Sequence, residues 1–122
     1  MLSAISTNIV KILREHYGRG PMRAKTYVLD DLIVCVLKNG FTAIEQTMVD
    51  TGSPERVVAM RREFQEMIGD RYRHLIENLS GRKVTAFLSQ AHIEPDITIE
   101  AFLLDRPLEG YGAIELLDPE AG

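Results

Sequence analysis

Apolar residues recur every three or four positions at the start of the chain, which is the spacing of one face of an α-helix. This spacing predicts a first helix over residues 2–17. Gly18 can adopt the left-handed conformation common just after a helix end, and Pro21 cannot continue a helix, so the helix should stop there. The apolar stripe consists of Leu2, Ile5, Ile9, Ile12 and Leu13.

Two further helices are predicted in the middle of the chain. Thr42 and Glu45 have the spacing of a capping box, which indicates a short helix ending near Asp50. Ser53 and Pro54 suit the N-cap and the first position of a second, longer helix. The apolar stripe of this longer helix continues to residue 80 through Val57, Met60, Phe64, Met67, Ile68, Leu75 and Leu79.

Two short segments rich in β-branched and apolar residues predict a β-hairpin over residues 25–29 and 32–38. Asp30 and Asp31 separate the two strands and tolerate a tight turn. The second strand is apolar at every position from 32 to 37, which is typical of a central strand covered on both faces. We therefore expect helices or a partner chain on each side of it, which favours a homo-oligomer, namely a dimer.

A second hairpin is predicted over residues 83–88 and 97–104, joined by a longer connection. The element order is then α-β-β-α-α-β-β. This order predicts an α+β fold with a mostly antiparallel four-stranded sheet packed against helices. The last strand alternates Ile97, Ile99, Ala101 and Leu103 on one face with Thr98, Glu100, Phe102 and Leu104 on the other.

The sequence changes character after the last predicted strand. Residues 1–105 are expected to form a single α+β domain, whereas residues 106–122 are rich in glycine, proline and acidic residues. Such a composition favours a weakly ordered acidic tail. A short extra strand over residues 113–117 is the one element that this tail could add.

The composition of the 122 residues is that of a small globular protein, with 45% hydrophobic and 26% charged residues. The longest apolar run is far shorter than the roughly 20 residues of a membrane-spanning helix. Nothing at the N-terminus reads as a secretory signal, so we expect a cytoplasmic protein, at most peripheral at the inner face of the membrane. Cys35 is the single cysteine and lies within that apolar run, which favours a buried apolar role over a nucleophilic one.

Charge is distributed unevenly along the chain. Residues 1–27 hold five basic residues against one acidic residue, whereas residues 93–122 hold eight acidic residues against one basic residue. The basic segment could bind an anionic partner or the acidic segment. The simpler interpretation is that the two segments form separate faces exposed to solvent. Because the net charge is -4 and few aromatic residues accompany the basic segment, nucleic acid is not an expected partner.

The basic segment contains a glycine-containing loop, residues 18–26, with some residue types of a phosphate-binding P-loop. The spacing does not fit, because Arg19 and Ala24 stand where that motif requires glycine. We interpret the loop and the helix end before it as a candidate site for a small anion or an acidic partner. The alternative is a helix C-cap whose cations lie favourably at the negative end of the helix dipole. The candidate residues are Arg14, Gly18, Arg19, Gly20, Pro21, Arg23, Lys25 and Thr26.

Other candidate chemistry in the chain is sparse. His16, His74 and His92 are scattered and lack the four-residue spacing that places two imidazoles on one helical face, so neither a metal nor another cofactor is expected. We favour a protein without catalytic activity. The alternative is an enzyme, metal-dependent or not, whose site forms between subunits from residues of the two hairpin turns. Those residues are Asp30, Asp31, His92 and Asp96.

Several short motifs within residues 3–104 occur together in one known family. They are Tyr-Gly-Arg-Gly-Pro at 17–21, Ala-Lys-Thr-Tyr at 24–27, Asp-Asp-Leu-Ile-Val at 30–34, Phe-Thr at 41–42, Glu-Gln-Thr at 45–47, Arg-Glu-Phe-Gln at 62–65, Thr-Ala-Phe-Leu-Ser at 85–89 and Pro-Asp at 95–96. By these motifs the chain resembles the MpsC-type family, a small bacterial domain of unknown function.

The resemblance implies a soluble component of a Na+-translocating, membrane-potential-generating system that is linked to inorganic carbon supply. In such a system the domain would be an accessory or regulatory part that docks on integral membrane transporter subunits or senses a small anion. The resemblance brings no catalytic residues to this chain, so the loop residues enter only as matches to the family's motifs.

Overall fold

The elements succeed one another as the sequence pattern predicts. The computed structural model describes residues 1–112, which contain three helices and four strands in the order α-β-β-α-α-β-β. The predicted α+β class is thereby confirmed. The elements are α1 (Leu2–Tyr17), β1 (Arg23–Leu29), β2 (Leu32–Lys38), α2 (Ala43–Asp50), α3 (Pro54–Ser80), β3 (Val84–His92) and β4 (Ile97–Leu104).

The four strands form one antiparallel sheet in the order β1-β2-β4-β3. β1 and β2 pair along their whole length around the turn at Leu29↔Leu32, and β4 pairs with β2 from Ile97↔Lys38 onward. Because α2 and α3 carry the chain from the end of β2 to the far edge, β4 returns between β2 and β3. The central strands are therefore β2 and β4, and the edge strands are β1 and β3.

Helices α1 and α3 pack on one face of the sheet and form the core with it. Each helix buries a stripe of residues three or four positions apart, as helical periodicity requires. Cys35 of β2 is 1% exposed within this core, so its predicted burial is confirmed, and this burial raises the pKa of its thiol to about 11. The core residues are Ile5, Ile9, Ile12, Leu13, Ile33, Cys35, Leu37, Ile68, Tyr72, Ile76, Val84, Phe102, Leu104 and Leu108.

The chain itself covers β2 with helices on one face only, so the predicted cover on the other face would have to come from a partner chain. Every second residue of β2 is buried against the helices, but Leu32, Val34 and Val36 are only partly buried on the other side of the sheet. An uninterrupted apolar run therefore does not distinguish a strand covered by its own chain from one that presents half of its apolar side chains to the surface. The expected dimer stays a prediction.

Two strands are longer than the sequence pattern suggests. β1 begins at Arg23 instead of residue 25, and β3 continues to His92 through much of the predicted connection. Pairing of Ser89 with Glu100 carries the ladder through polar residues, because backbone hydrogen bonds do not require apolar side chains. The connection between β3 and β4 is therefore the short turn at residues 93–96.

The alternation predicted for β4 is confirmed, and the less apolar of its two faces is the one that points into the core. Thr98 is 5% exposed, while Glu100 and Phe102 are completely buried. The more apolar face, which includes Ile99 at 43% exposure, lies on the outside of the sheet. Polar side chains thus enter the interior next to α3.

The chain stays packed against the domain after β4. Leu108 is buried, and its N–H donates to the carbonyl oxygen of Asp30 at 3.0 Å. The N–H of Asp30 in turn donates to the carbonyl oxygen of Tyr111 at 3.0 Å. The extra strand predicted at residues 113–117 lies outside the described residues. Within residues 1–112 no helix is both long enough and apolar enough to cross a membrane.

Gly20, in the loop between α1 and β1, lies directly against α1. A Cβ atom at this position would be 3.0 Å from Cγ1 and 3.3 Å from the carbonyl oxygen of Val10. We expect Gly20→Ala to lower the free energy of unfolding in urea by about 1–3 kcal/mol, because the loop must move away from the helix. Gly40→Ala is the matched control, since its added Cβ would meet Pro21 at an ordinary 3.6 Å. Equal losses in the two variants would contradict the close contact.

Candidate functional site

Arg61 of α3 is a buried cation at the centre of a polar cluster that joins α1, α2 and α3 to the end of β2. Its exposure is 4%. Its Nε donates to Oε2 of Glu45 and its Nη2 donates to Oε1 of Glu45, both at 2.6 Å. The same Nη2 donates to the carbonyl oxygen of Gly40 at 3.0 Å. This two-point ion pair holds α2 against α3 and holds both against the chain that leaves β2.

Two aromatic rings enclose the Arg61 guanidinium. Its Cζ atom lies 4.1 Å from the ring centroid of Tyr17 and 5.3 Å from that of Phe41, both within the range of cation–π attraction. Burial raises the pKa of the Tyr17 phenol to about 12 although the nearby guanidinium acts to lower it. Tyr17 is the last residue of α1, so the stacked rings tie the end of α1 to α3.

Glu45 serves the ion pair and the start of α2 at the same time. Its Oε1 accepts the N–H of Thr42 at 2.9 Å, and its own N–H donates to Oγ1 of Thr42 at 3.1 Å, so the predicted capping box is confirmed. Burial alone would raise the pKa of Glu45, but the hydrogen bonds from Arg61 and Thr42 outweigh burial and hold the pKa below its ordinary value. The carboxylate is therefore ionised and compensates the buried cation.

Glu100 of β4 is a second buried acid, and its surroundings are different. Its exposure is 0%, and its Oε1 accepts the Nε2–H of Gln65 at 2.9 Å, while Oε2 has no hydrogen-bond partner among the described residues. The Ser89 hydroxyl donates to Oε1 of Gln65 and so orients the amide. Burial raises the pKa of Glu100 to about 8 against the opposing effects of Ser89 and Arg61, so the carboxyl is mostly protonated at neutral pH.

A small recess separates Arg61 from Glu100. At its centre it has room for about one water molecule, so it is too small for an organic ligand. The hydroxyl of Tyr17 is buried without a hydrogen-bond partner in the described residues, as is Glu100 Oε2. The recess is lined by Leu13, Tyr17, Arg19, Pro21, Leu37, Gly40, Arg61, Gln65, Thr98 and Glu100. Within residues 1–112 no group of three His, Cys, Asp or Glu side chains could hold a metal ion.

The two glycines and the proline of the predicted loop site shape the backbone. Gly18 ends α1 with a φ of 79°, and its N–H donates to the carbonyl oxygen of Arg14 at 3.0 Å. Gly20 allows the close approach to α1, and Pro21 packs against Gly40 at the rim of the recess. The helix C-cap interpretation therefore describes Gly18 well, whereas the binding role proposed for the loop stays a prediction.

The structure distributes the charged residues of the predicted loop site over three places. Arg14 lies in a groove between α1 and β1. Arg19 lies at the rim of the recess, where its Nη2 donates to the carbonyl oxygen of Asn39 at 3.1 Å. Arg23 and Lys25 lie on the face of the sheet that α1 and α3 leave open. These cations therefore do not converge on one anion in this arrangement.

Thr26, the last residue of the predicted loop site, points to the helix side of the sheet. Its Oγ1 lies 2.6 Å from Oγ of Ser6 in α1 and 3.5 Å from Sγ of Cys35. The hydroxyl thus joins β1 to α1.

The turn residues of the alternative enzyme site lie at opposite ends of the sheet. Asp30 and Asp31 follow β1, whereas His92 and Asp96 flank the β3–β4 turn beside the end of β2. Asp96 also uses its Oδ2 to accept the N–H of Phe41 at 2.8 Å. One chain does not bring these residues together, so such a site would need a second copy.

Reasoning from the sequence missed Arg61 and Glu100, although both patterns contained a signal. Arg61 lies four residues from Val57 and from Gln65, on the stripe of α3 that is buried. Glu100 shares its side of β4 with the buried Phe102. A charged residue at such a position more often lies at the solvated border of a stripe, so the pattern alone did not reveal the burial.

The described elements all lie within a segment that matches a known family. The family described as "Na+-translocating membrane potential-generating system (MpsC)" matches residues 1–106. The uncharacterized protein YrhF of Bacillus subtilis (strain 168) is 27% identical over 103 residues, which cover 83% of this chain and 84% of that protein. No solved structure matches the chain.

The buried ion pair should show strong coupling between its two residues. Glu45→Gln leaves a buried cation without its counter-ion, and Arg61→Met leaves a buried carboxylate, so each change should lower the free energy of unfolding by about 3–5 kcal/mol. The double variant should lose much less than the sum of the two single losses, because both single changes break the same interaction. Urea unfolding of the four proteins measures this, and additive losses would count against the ion pair.

The exposed pair of Arg71 and Glu15 is the matched control for this cycle. Its atoms are also close, at 2.7 Å, but its side chains are 48% and 42% exposed. Water screens such a pair, so Arg71→Met and Glu15→Gln should show no resolvable coupling.

Glu100 should make the protein less stable as the pH rises. The Glu100 carboxyl has its ordinary pKa of 4.5 in the unfolded chain and a pKa of about 8 in the folded chain. At a pH between these two values, only the unfolded chain has released the Glu100 proton. The free energy of unfolding should then fall by up to about 1.4 kcal/mol per pH unit and level off above pH 8. Glu100→Gln, which keeps an acceptor for Gln65, should remove this contribution. Urea unfolding of both proteins between about pH 5 and 8 tests it, and a pH-independent difference between them would refute it.

Proposed function

The chain belongs to the MpsC family, and from this we propose that it is an accessory or regulatory protein of a Na+-translocating, membrane-potential-generating system. In this role it acts without catalysis, on the cytoplasmic side, by docking on integral membrane subunits. The family resemblance links those subunits to inorganic carbon supply. The structural observation that carries the proposal is a basic groove on the surface of the domain.

The groove lies between α1 and the edge strand β1. Its charged lining residues in the described part of the chain are Lys11 and Arg14, both exposed cations. The neighbouring Glu15 is paired with Arg71 at 2.7 Å and leaves the two cations available. A positive groove along a sheet edge suits an acidic segment of a protein partner, because complementary charge guides association and fixes orientation. The lining residues are Ser6, Thr7, Val10, Lys11, Arg14 and Ala24.

Sensing of a small anion is the second mode of action that the sequence suggests. A shallow basic pocket on the sheet face that α1 and α3 leave uncovered supports this mode, because Arg23, Lys25 and Lys38 lie there together with Tyr27. All three cations are exposed, and exposed charges attract a small anion only weakly. Docking in the groove therefore has the stronger support.

We also propose that the protein acts as a homodimer. The apolar run of β2 favours this, because its outward-facing residues Leu32, Val34 and Val36 remain partly exposed in one chain. The same sheet face carries the exposed apolar side chains of Tyr27, Leu88 and Ile99. A second copy could cover these side chains while the groove at α1 stays free for a membrane partner.

Docking in the groove can be tested by capture of the tagged full-length chain from gently crosslinked cells. We expect an integral membrane subunit of a cation-translocating system to be enriched in the membrane fraction. Lys11→Glu with Arg14→Glu should reduce that enrichment at least about tenfold, because the groove then repels an acidic segment. The matched control is Arg56→Glu with Arg62→Glu, which makes the same charge change at exposed positions of α3.

The outcomes of this capture separate the possibilities. Equal loss in both double variants would show a general charge effect and contradict the groove. Recovery of the protein only from the soluble fraction, with no membrane subunit, would contradict docking altogether.

A further inference from the structure

The face of the sheet away from α1 and α3 is apolar along its centre. We call it the open face. Tyr27, Leu88 and Ile99 on it are 48%, 59% and 43% exposed, and the residues between them are partly buried. From the strand registers, its apolar members are Tyr27, Leu29, Leu32, Val34, Val36, Ala86, Leu88, Ile97, Ile99, Ala101 and Leu103.

The open face carries opposite charges at its two ends along β1 and β2. Arg23 pairs with Lys38 at one end, and Lys25 follows in the adjacent row, so this end holds three exposed cations. At the other end the β1–β2 turn holds Asp30 and Asp31, for which no ion pair occurs among the described residues. Along β1 and β2 the face is therefore basic at one end, apolar in the middle and acidic at the other end. Along β4 and β3 the order is reversed, because Glu94 and Asp96 lie at the first end and Lys83 lies at the second.

We propose that two copies of the chain pack open face to open face, with the basic end of each over the acidic end of the other. This inference rests on the proposed homodimer and adds its interface and its orientation. In this arrangement β1 lies over β1 of the second copy and runs in the opposite direction. Arg23 and Lys25 of one copy then meet Asp30 and Asp31 of its partner.

Symmetry leaves few choices for such a contact. A two-fold axis that brings one face onto an identical face must lie in the plane between the sheets. An axis along the strands would place β1 over β3, so that the cations at the start of β1 would meet the β3–β4 turn of the second copy, with Glu94 and Asp96. An axis across the strands keeps β1 over β1 and reverses its direction, so each row of cations meets carboxylates. We favour the second axis because Asp30 and Asp31 form no ion pair among the described residues, whereas Asp96 already accepts the N–H of Phe41. The apolar middles then pack as in two aligned sheets.

The size of the open face also suits a second copy. Four strands about 4.8 Å apart and seven residues long at about 3.4 Å per residue outline roughly 450 Å². The apolar middle is smaller than this outline, because Arg23, Lys25 and Lys38 occupy one end of it, and it lies in the size range of the largest apolar patches of proteins, which are often functional. Covering it on both copies, with the protruding side chains included, reaches about the 1,000 Å² that a specific interface needs.

The interface can be tested by sedimentation velocity of the full-length chain. We expect a dimer whose dissociation constant rises at least about tenfold in Val34→Lys, which places a charge in the apolar middle. Ile44→Lys is the matched control, since Ile44 is 75% exposed on α2, away from the open face, and this change should leave the dimer intact. Far-UV circular dichroism and the melting temperature of each variant show that the fold is kept.

The orientation can be tested by exchanging charges. Lys25→Asp or Asp31→Lys alone should weaken the dimer, because each puts like charges opposite one another, and the two changes together should restore it. A double variant weaker than either single variant would overturn the orientation. A dimer insensitive to Val34→Lys would overturn the interface and leave the homodimer standing. A monomeric full-length chain would overturn both the interface and the homodimer. The same holds if a chain truncated after Gly112 dimerises while the full-length chain does not, because residues 113–122 would then be the occupant of the open face.

Discussion

The buried ion pair between Arg61 and Glu45 is the contact on which the arrangement of the helices depends. A buried charge pair adds little net stability compared with apolar residues of the same shape, but either charge alone in the interior is strongly unfavourable. The pair therefore allows only arrangements in which α2 and α3 meet at this point. Its further contacts with Gly40, Tyr17 and Phe41 extend the same constraint to the end of β2 and the end of α1.

This role of Arg61 gives a physical meaning to the motifs by which the chain resembles its family. The motif at 17–21 supplies the Tyr17 ring and the turn beside the Arg61 guanidinium. The motifs at 41–42 and 45–47 supply the Phe41 ring and the counter-ion Glu45. The motif at 62–65 ends in Gln65, which binds Glu100. These motifs thus fall on residues that assemble the domain, whereas the motifs at 24–27, 30–34 and 85–89 lie partly on the open face.

The sheet distributes polarity in an unusual way. Its covered face brings Thr98 and Glu100 into the interior, whereas its open face exposes Leu88 and Ile99. The interior acid is tolerated because Gln65 binds one oxygen and because protonation removes the charge. The exposed apolar side chains have no comparable compensation within the described residues, which is why this face, together with the basic groove at α1, is where partners are expected.

By itself, the sequence determined the number, type and order of the elements within residues 1–112, because the periodicities of 3.6 and 2 residues and the turn residues are local properties. The capping box at Thr42 and the end of α1 at Gly18 were predictable for the same reason. Only the tertiary structure decided which face of β4 is interior, that β2 is covered on one side, and that Arg61 is a buried ion-pair partner. Each of these depends on which elements pack together, and the free energy of a buried charge or an exposed leucine is set by neighbours distant in sequence.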